Sequence, residues 1–223
     1  MTTTPQRPIQ PGDRAPDFTL QAVNREGVVS LADFRGKPPV LLGLFRGLHC
    51  PFCRRQLVQL AAMQEKLKPA GVETLAVVNT TLDRARLYFK YRPTPVLLAA
   101  DPEASTHRLF GVPAPELGEV SGWPLRMTPE EFGAVRINPT GELPAALQPM
   151  EANDELNRRE GFQLTEVDQQ ILAAHGTQLA GHFLIDREGI IRWTHVEAWE
   201  RIGDLATFPT EAEILAAART LPR

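Results

Sequence analysis

The sequence predicts an α/β protein, with a mixed central sheet and helices on both faces. Three observations carry that prediction. Residues 40–45 and 72–78 are continuous apolar runs of strand length, as expected for strands buried on both faces. Stretches with apolar residues at helical spacing follow them, each closed by Pro or Gly. The last part of the chain reads as a hairpin and one more helix. One domain accounts for all 223 residues.

Taken in order, residues 18–20 and 28–30 form short strands around the turn residues Asn24 and Gly27. Pro38-Pro39 and Gly47 bound the strand at 40–45. Cys50-Pro51-Phe52-Cys53 opens a helix with Leu57, Leu60, Ala61 and Leu67 on one stripe. Pro51 suits the first helical position, and Pro69 with Gly71 ends the helix. After the strand at 72–78, Thr81 caps a helix presenting Leu82, Ala85 and Phe89. Residues 96–99 are a third strand, and Pro102 opens a helix that stops at Gly111. Thr165 caps a later helix carrying Val167, Ile171, Leu172 and His175 and closed by Gly176, with Asp168 in the acidic place of a capping box. Residues 183–185 and 190–196 pair across 186–189, and 211–218 make the final helix.

Composition narrows the function. Hydrophobic residues at 43% and charged residues at 23% exclude a disordered or fibrous chain. The 24 Lys+Arg against 27 Asp+Glu leave a net charge of −3, with no cationic cluster for nucleic acid. The longest apolar run, 40–45, is too short to span a bilayer. Residues 1–11 are rich in Thr, Pro and Gln without the apolar core of a signal peptide, so a cytoplasmic address is expected. Seven of the 20 prolines fall between Pro113 and Pro149, with four glycines, so that stretch should be loop-rich.

The only cysteines are Cys50 and Cys53. A disulfide between them closes too short a loop to stabilise by chain entropy, and a cytoplasmic chain is kept reduced. Redox chemistry or a metal remains. A zinc site needs two further ligands, and no second CxxC or His-x₃₋₅-His occurs. No metal and no cofactor are therefore expected. The strand–turn–helix order puts Cys50 at a helix N-terminus, where backbone amides and the helix dipole favour a thiolate. Arg46, His49, Arg54 and Arg55 lie within five residues and add positive charge. Cys53, one turn inside, is placed to act second.

These residues resemble the peroxiredoxin-like (alkyl hydroperoxide reductase/thiol-specific antioxidant, AhpC/TSA) group of the thioredoxin-fold superfamily. The resemblance is carried by Gly12-Asp13-Arg14-Ala15-Pro16-Asp17-Phe18-Thr19-Leu20 and by Leu31-Ala32-Asp33-Phe34-Arg35-Gly36-Lys37 before an apolar strand. Asp101-Pro102 running to Leu109-Phe110-Gly111-Val112 adds to it, as does Phe183-Leu184-Ile185-Asp186 with Gly189-Ile190-Ile191-Arg192-Trp193. It covers roughly residues 11–113 and 181–220, four weak segments in the right order around a CxxC. It implies a thioredoxin-like fold, with residues 114–178 as a Pro-rich insertion before the closing hairpin. That insertion should be separable from the core, and serves as a lid, a homodimer contact or a passive decoration.

The chain also departs from the family pattern. Gly43 and Gly47 stand where peroxiredoxins carry Pro and Thr/Ser, seven and three residues before the reactive Cys. Ala180 occupies the place of an Arg, or of the cis-Pro of thioredoxins, and His49 that of the thioredoxin Trp. Arg46 is the candidate to replace the missing Arg, and His182, opening the closing strand, is a candidate for proton transfer. The resemblance implies an antioxidant thiol peroxidase with Cys50, Cys53, Arg46 and His49 as its site. Cys50 attacks a hydroperoxide, Cys53 forms the disulfide, and an external dithiol such as a thioredoxin-like protein reduces it. Two alternatives keep the pair: a dithiol–disulfide oxidoreductase acting on proteins, and a non-enzymatic redox sensor.

Overall fold

The computed structural model describes residues 7–222; residues 1–6, on which the signal-peptide expectation partly falls, lie outside the described residues, as does residue 223. The first half contains β1 (Thr19–Ala22), β2 (Val28–Ser30), β3 (Val40–Phe45), α1 (Pro51–Leu67), β4 (Glu73–Val78), α2 (Leu82–Lys90), β5 (Leu97–Ala100) and α3 (Ser105–Leu109). The second half contains β6 (Glu116–Leu117), β7 (Arg126–Met127), α4 (Pro129–Ala134), α5 (Pro149–Arg159), α6 (Glu166–His175), β8 (Gly181–Ile185), β9 (Ile191–Val196) and α7 (Glu211–Arg219). Among the described residues no helix is long and apolar enough to cross a membrane.

Seven strands form the central sheet in the order β2-β1-β5-β4-β3-β8-β9. The three middle strands run parallel, with Leu42 opposite Leu75 and Val77 opposite Ala99. The flanking pairs are antiparallel, including β3 with β8 (Leu42 opposite Phe183). Parallel strands need crossover helices on the sheet faces, which explains why β3 and β8 are buried along their whole length. The expected mixed sheet is present, and the buried apolar runs form its centre.

Local chemistry moves several boundaries. Asn24 donates to the Val96 carbonyl and accepts from the Leu98 amide, which ties the first turn to β5 and carries β1 through Ala22. The helix expected to open at Pro102 starts at Ser105, because Asp101 accepts from the Thr106 amide and the Ser105 hydroxyl. Gly71 closes the α1 segment in the left-handed region, φ 67°, at the end of a short 3₁₀ turn. Thr81 and Thr165 cap α2 and α6 through their hydroxyls, and Asp168 completes the second capping box.

The insertion corrects two expectations. It contains α5, a helix the sequence reading passes over; its signals were Pro149 at the first position, Glu151 in the capping-box place, and Ala152 with Leu156 on one face. It is also not a removable decoration. Val135, Ile137, Leu143, Ala152 and Leu156 belong to the same buried cluster as β3 and β4. Asp168 of α6, its side chain fully buried, takes bidentate hydrogen bonds from Arg84 of α2 at 2.8–3.1 Å. The insertion is built into the core.

Candidate active site

Strand β3 delivers the chain to the carboxyl edge of the sheet, where Arg46 to His49 turn into α1. Cys50 is the N-cap of α1. Its Sγ accepts the Cys53 amide at 3.1 Å and its carbonyl accepts the Arg54 amide at 3.2 Å. Pro51 fills the first position, where no amide hydrogen is needed. The two sulfurs are 2.6 Å apart, both are free thiols, and the residues are only 3% and 1% exposed. A disulfide needs little further rearrangement from there.

Packing accounts for two of the departures noted above. A Cβ at Gly47 would meet the Asn79 carbonyl oxygen at 2.7 Å and Ile171 Cγ2 at 2.9 Å, so no Thr fits there. At Gly43 it would meet the Phe45 ring at 2.6 Å. The turn that presents Cys50 is therefore pressed against the end of β4 and against α6 of the insertion.

Arg46 is placed by a residue that sequence reasoning missed. Glu197, fully buried just after β9, accepts from the Arg46 guanidinium at 2.7 Å. Its carboxylate also takes the amides of Ala180 at 2.9 Å and Ala206 at 2.6 Å. Ala180 thus supplies a backbone donor at the position of the missing Arg, and the cation arrives from the loop instead. Burial would lower the Arg46 pKa, but Glu197 and the two sulfurs hold it well above its ordinary value. No sequence pattern marked Glu197, because its partner lies 151 residues away.

The two cysteines differ sharply. Burial pushes the Cys50 thiol up, but the hydrogen bond from Cys53 and the charge of Arg46 outweigh it and bring it down to about 6. Burial also pushes Cys53 up, and the hydrogen bond and charge of Cys50 reinforce that shift. Of the two, Cys50 is the more acidic thiol.

The other candidates sort differently. Burial, then the charge of Arg46, lowers His49 to about 4, so it is a neutral wall of the site and adds no positive charge there at pH 7. Arg54 donates to the Leu48 carbonyl, to Asn157 Oδ1 at 2.8 Å and to Glu160, and its guanidinium stacks 3.9 Å from the Phe162 ring. Arg55 pairs with Glu160 at 2.8 Å and Glu142 at 2.7 Å. Both arginines fasten the insertion to α1, and Asn157 returns a hydrogen bond to the His49 carbonyl at 3.0 Å. His182 packs among Phe45, Phe208 and His195, burial lowers it to about 3, and it does not line the cleft above Cys50. A proton-transfer role for it has no geometric support. Among the described residues no group of three His, Cys, Asp or Glu gathers to hold a metal.

Above Cys50 lies a narrow, half-open cleft of about 80 Å³. Arg46, His49 and Cys50 lie on the sheet side, and Trp123, Met127, Phe132, Met150 and Asn153 come from the insertion. The wall is mostly apolar.

A sheet of this order with a CxxC dithiol at the start of the helix after β3, one of its three parallel middle strands, defines a thiol-bearing thioredoxin-fold protein. The pattern of the AhpC/TSA family matches residues 11–194, and the chain belongs to that family. Solved structures agree on the fold. It is similar to peroxidoxin BcpB from Mycobacterium tuberculosis (12% identity, 96% of this chain and 99% of that one, TM-score 0.56). It is similar to the reduced 2-Cys peroxiredoxin of Plasmodium vivax (19% identity, 95% and 81%, TM-score 0.58). A protein described as a DsbE-type thiol:disulfide interchange protein from Chlorobium tepidum also matches (24% identity, 94% and 99%, TM-score 0.51). No curated protein sequence matches the chain.

Proposed function

We propose that the protein is a thiol peroxidase in which Cys50 is the peroxidatic and Cys53 the resolving cysteine. One observation carries this reading: an acidic Cys50 sulfur on a helix N-cap, lining the cleft, with the protonated Cys53 sulfur 2.6 Å away. The Cys50 thiolate attacks the terminal oxygen of a hydroperoxide. An S–O bond forms, the O–O bond breaks, and the alkoxide or hydroxide leaves with a proton from solvent. Cys50 is then a sulfenic acid. Cys53 gives up its proton and attacks that sulfur, the S–S bond forms, and water departs. An external dithiol returns both cysteines to thiols and becomes a disulfide itself. Arg46 stabilises the thiolate and the negative charge developing on the leaving oxygen. A reducing, cytoplasmic setting suits the cycle.

The CxxC spacing at a helix start supports a second reading, exchange with protein disulfides. One pair of variants separates the two. Under the peroxidase reading, Cys53→Ser consumes one equivalent of hydroperoxide and stalls as a sulfenic acid, detected by trapping and mass measurement. Cys50→Ser consumes none. A disulfide exchanger instead traps a mixed disulfide through Cys50 in Cys53→Ser and consumes peroxide no faster than a free thiol. That second result would overturn the reading.

A further inference from the structure

The cleft above Cys50 contains polar groups that the proposed cycle does not use. Asn153 of α5 is 8% exposed, lines the cleft, and its buried Nδ2 has no partner in the protein. A buried amide left unpaired is costly, and such groups are where an oxygen-bearing ligand completes a site. Trp123 faces the same cleft, and its indole is fixed by donating Nε1–H to the Ala198 carbonyl at 2.6 Å. Met127 and Phe132 continue the apolar wall, and Met150, 41% exposed, stands on the lining as well. Hydrogen peroxide has two heavy atoms and would leave those walls wet. An apolar body displaces that water.

We propose that the insertion makes Trp123 and Asn153 the specificity-determining residues of this site, selecting a hydroperoxide with a bulky apolar substituent over hydrogen peroxide. Trp123 is the wall for the substituent, and Asn153, its amide turned toward the cleft, donates to the peroxide oxygens. This rests on the peroxidase reading above. Removing Asn153 breaks no hydrogen bond in the resting protein, so Asn153→Ala should fold normally.

The test measures kcat/KM for cumene hydroperoxide and hydrogen peroxide with a dithiol reductant. In parallel it measures Cys50 alkylation by iodoacetamide and its N-phenyl derivative, each rate divided by that of glutathione. The wild type should favour the bulky member of both pairs by about 10-fold or more, the scale of discrimination in an apolar pocket. Trp123→Ala should remove most of that preference in both pairs. Met150→Ala, at a partly exposed position, should lower it by a smaller factor and guards against misfolding of the Trp variant. Asn153→Ala should slow both hydroperoxides about 10-fold and leave alkylation unchanged. An active enzyme with equal normalised rates for the small and bulky probes, in both assays, overturns this inference alone. No turnover of either hydroperoxide overturns the peroxidase reading instead, and the alkylation pair still shows whether the cleft selects by apolar bulk.

Discussion

The shared sheet and the insertion that interrupts it hold the same site by different means. The sheet fixes where Cys50 is: β3 aims the turn, Glu197 beside β9 holds Arg46, and the helix start of α1 takes the sulfur. The insertion fixes what surrounds it. Asn157 of its α5 and Glu160 at that helix's end satisfy the buried Arg54, and the insertion's side chains make most of the cleft. The sheet works through one buried ion pair and backbone hydrogen bonds, the insertion through apolar contact and polar ties to α1. Reactivity is a property of the frame; access is a property of what was added to it.

Deleting the insertion is the most severe way to break that division. Replacing residues 114–178 with a short Gly/Ser linker should abolish the cooperative thermal transition. It strips Val135, Ile137 and Leu156 from the core and bares the face of α1 that Asn157, Glu160 and Phe162 cover at Arg54. A variant that still melts sharply near the wild-type temperature would show that the frame stands alone.

Acid probes both regions at once. His49, at the boundary with the insertion, is lowered to about 4 by burial; His107 and His182, within the frame, to about 4 and about 3. Each has a folded pKa below its unfolded value near 6.5, so the unfolded chain binds protons first. Stability is full above about pH 6.5 and falls as pH drops through the folded values. His49 and His107 each account for about 3 kcal/mol across that window and His182 for about 5 kcal/mol. Urea titrations at pH 7 and pH 4.5 should show that loss. His182→Phe should recover part of it, and equal stability at both pH values would show that these imidazoles titrate normally.

Arg46→Met tests the frame's hold on reactivity. The Cys50 thiol should titrate upward from about 6 by about one pH unit, a tenfold loss of thiolate below that pKa. Alkylation of Cys50 against pH reads this directly. An unshifted profile would leave the hydrogen bonds from Cys53 responsible.

The mildest comparison uses two caps. Thr81→Ala on α2 and Thr165→Ala on α6 should each cost about 1 kcal/mol in global unfolding. The equality is the point: if only the Thr81 change registers, the insertion opens separately from the frame.

Those same elements show what a sequence can carry. Strands β3 and β4 were legible because burial on both faces leaves an unbroken apolar run. The capping threonines and Gly71 were legible because their roles are local. Helix α5 was obscured by the Pro/Gly-rich stretch before it, although its Pro149 and Glu151 signals were present. The cysteines declared themselves by spacing. His49 was misjudged as a cation because its charge depends on burial beside Arg46, which one-dimensional proximity cannot report. Glu197 had no local signature at all.

The reach of that last residue has a consequence during synthesis. Arg46 leaves the ribosome 151 residues before Glu197, and the carboxylate is itself held by the amide of Ala206. Until that stretch has been translated and docked, the cation has no anchor beside Cys50, and the thiol lacks the share of its acidity that the charge of Arg46 supplies. That share arrives only after Ala206 has been made and packed, so it serves as a chemical readout of folding across the sheet.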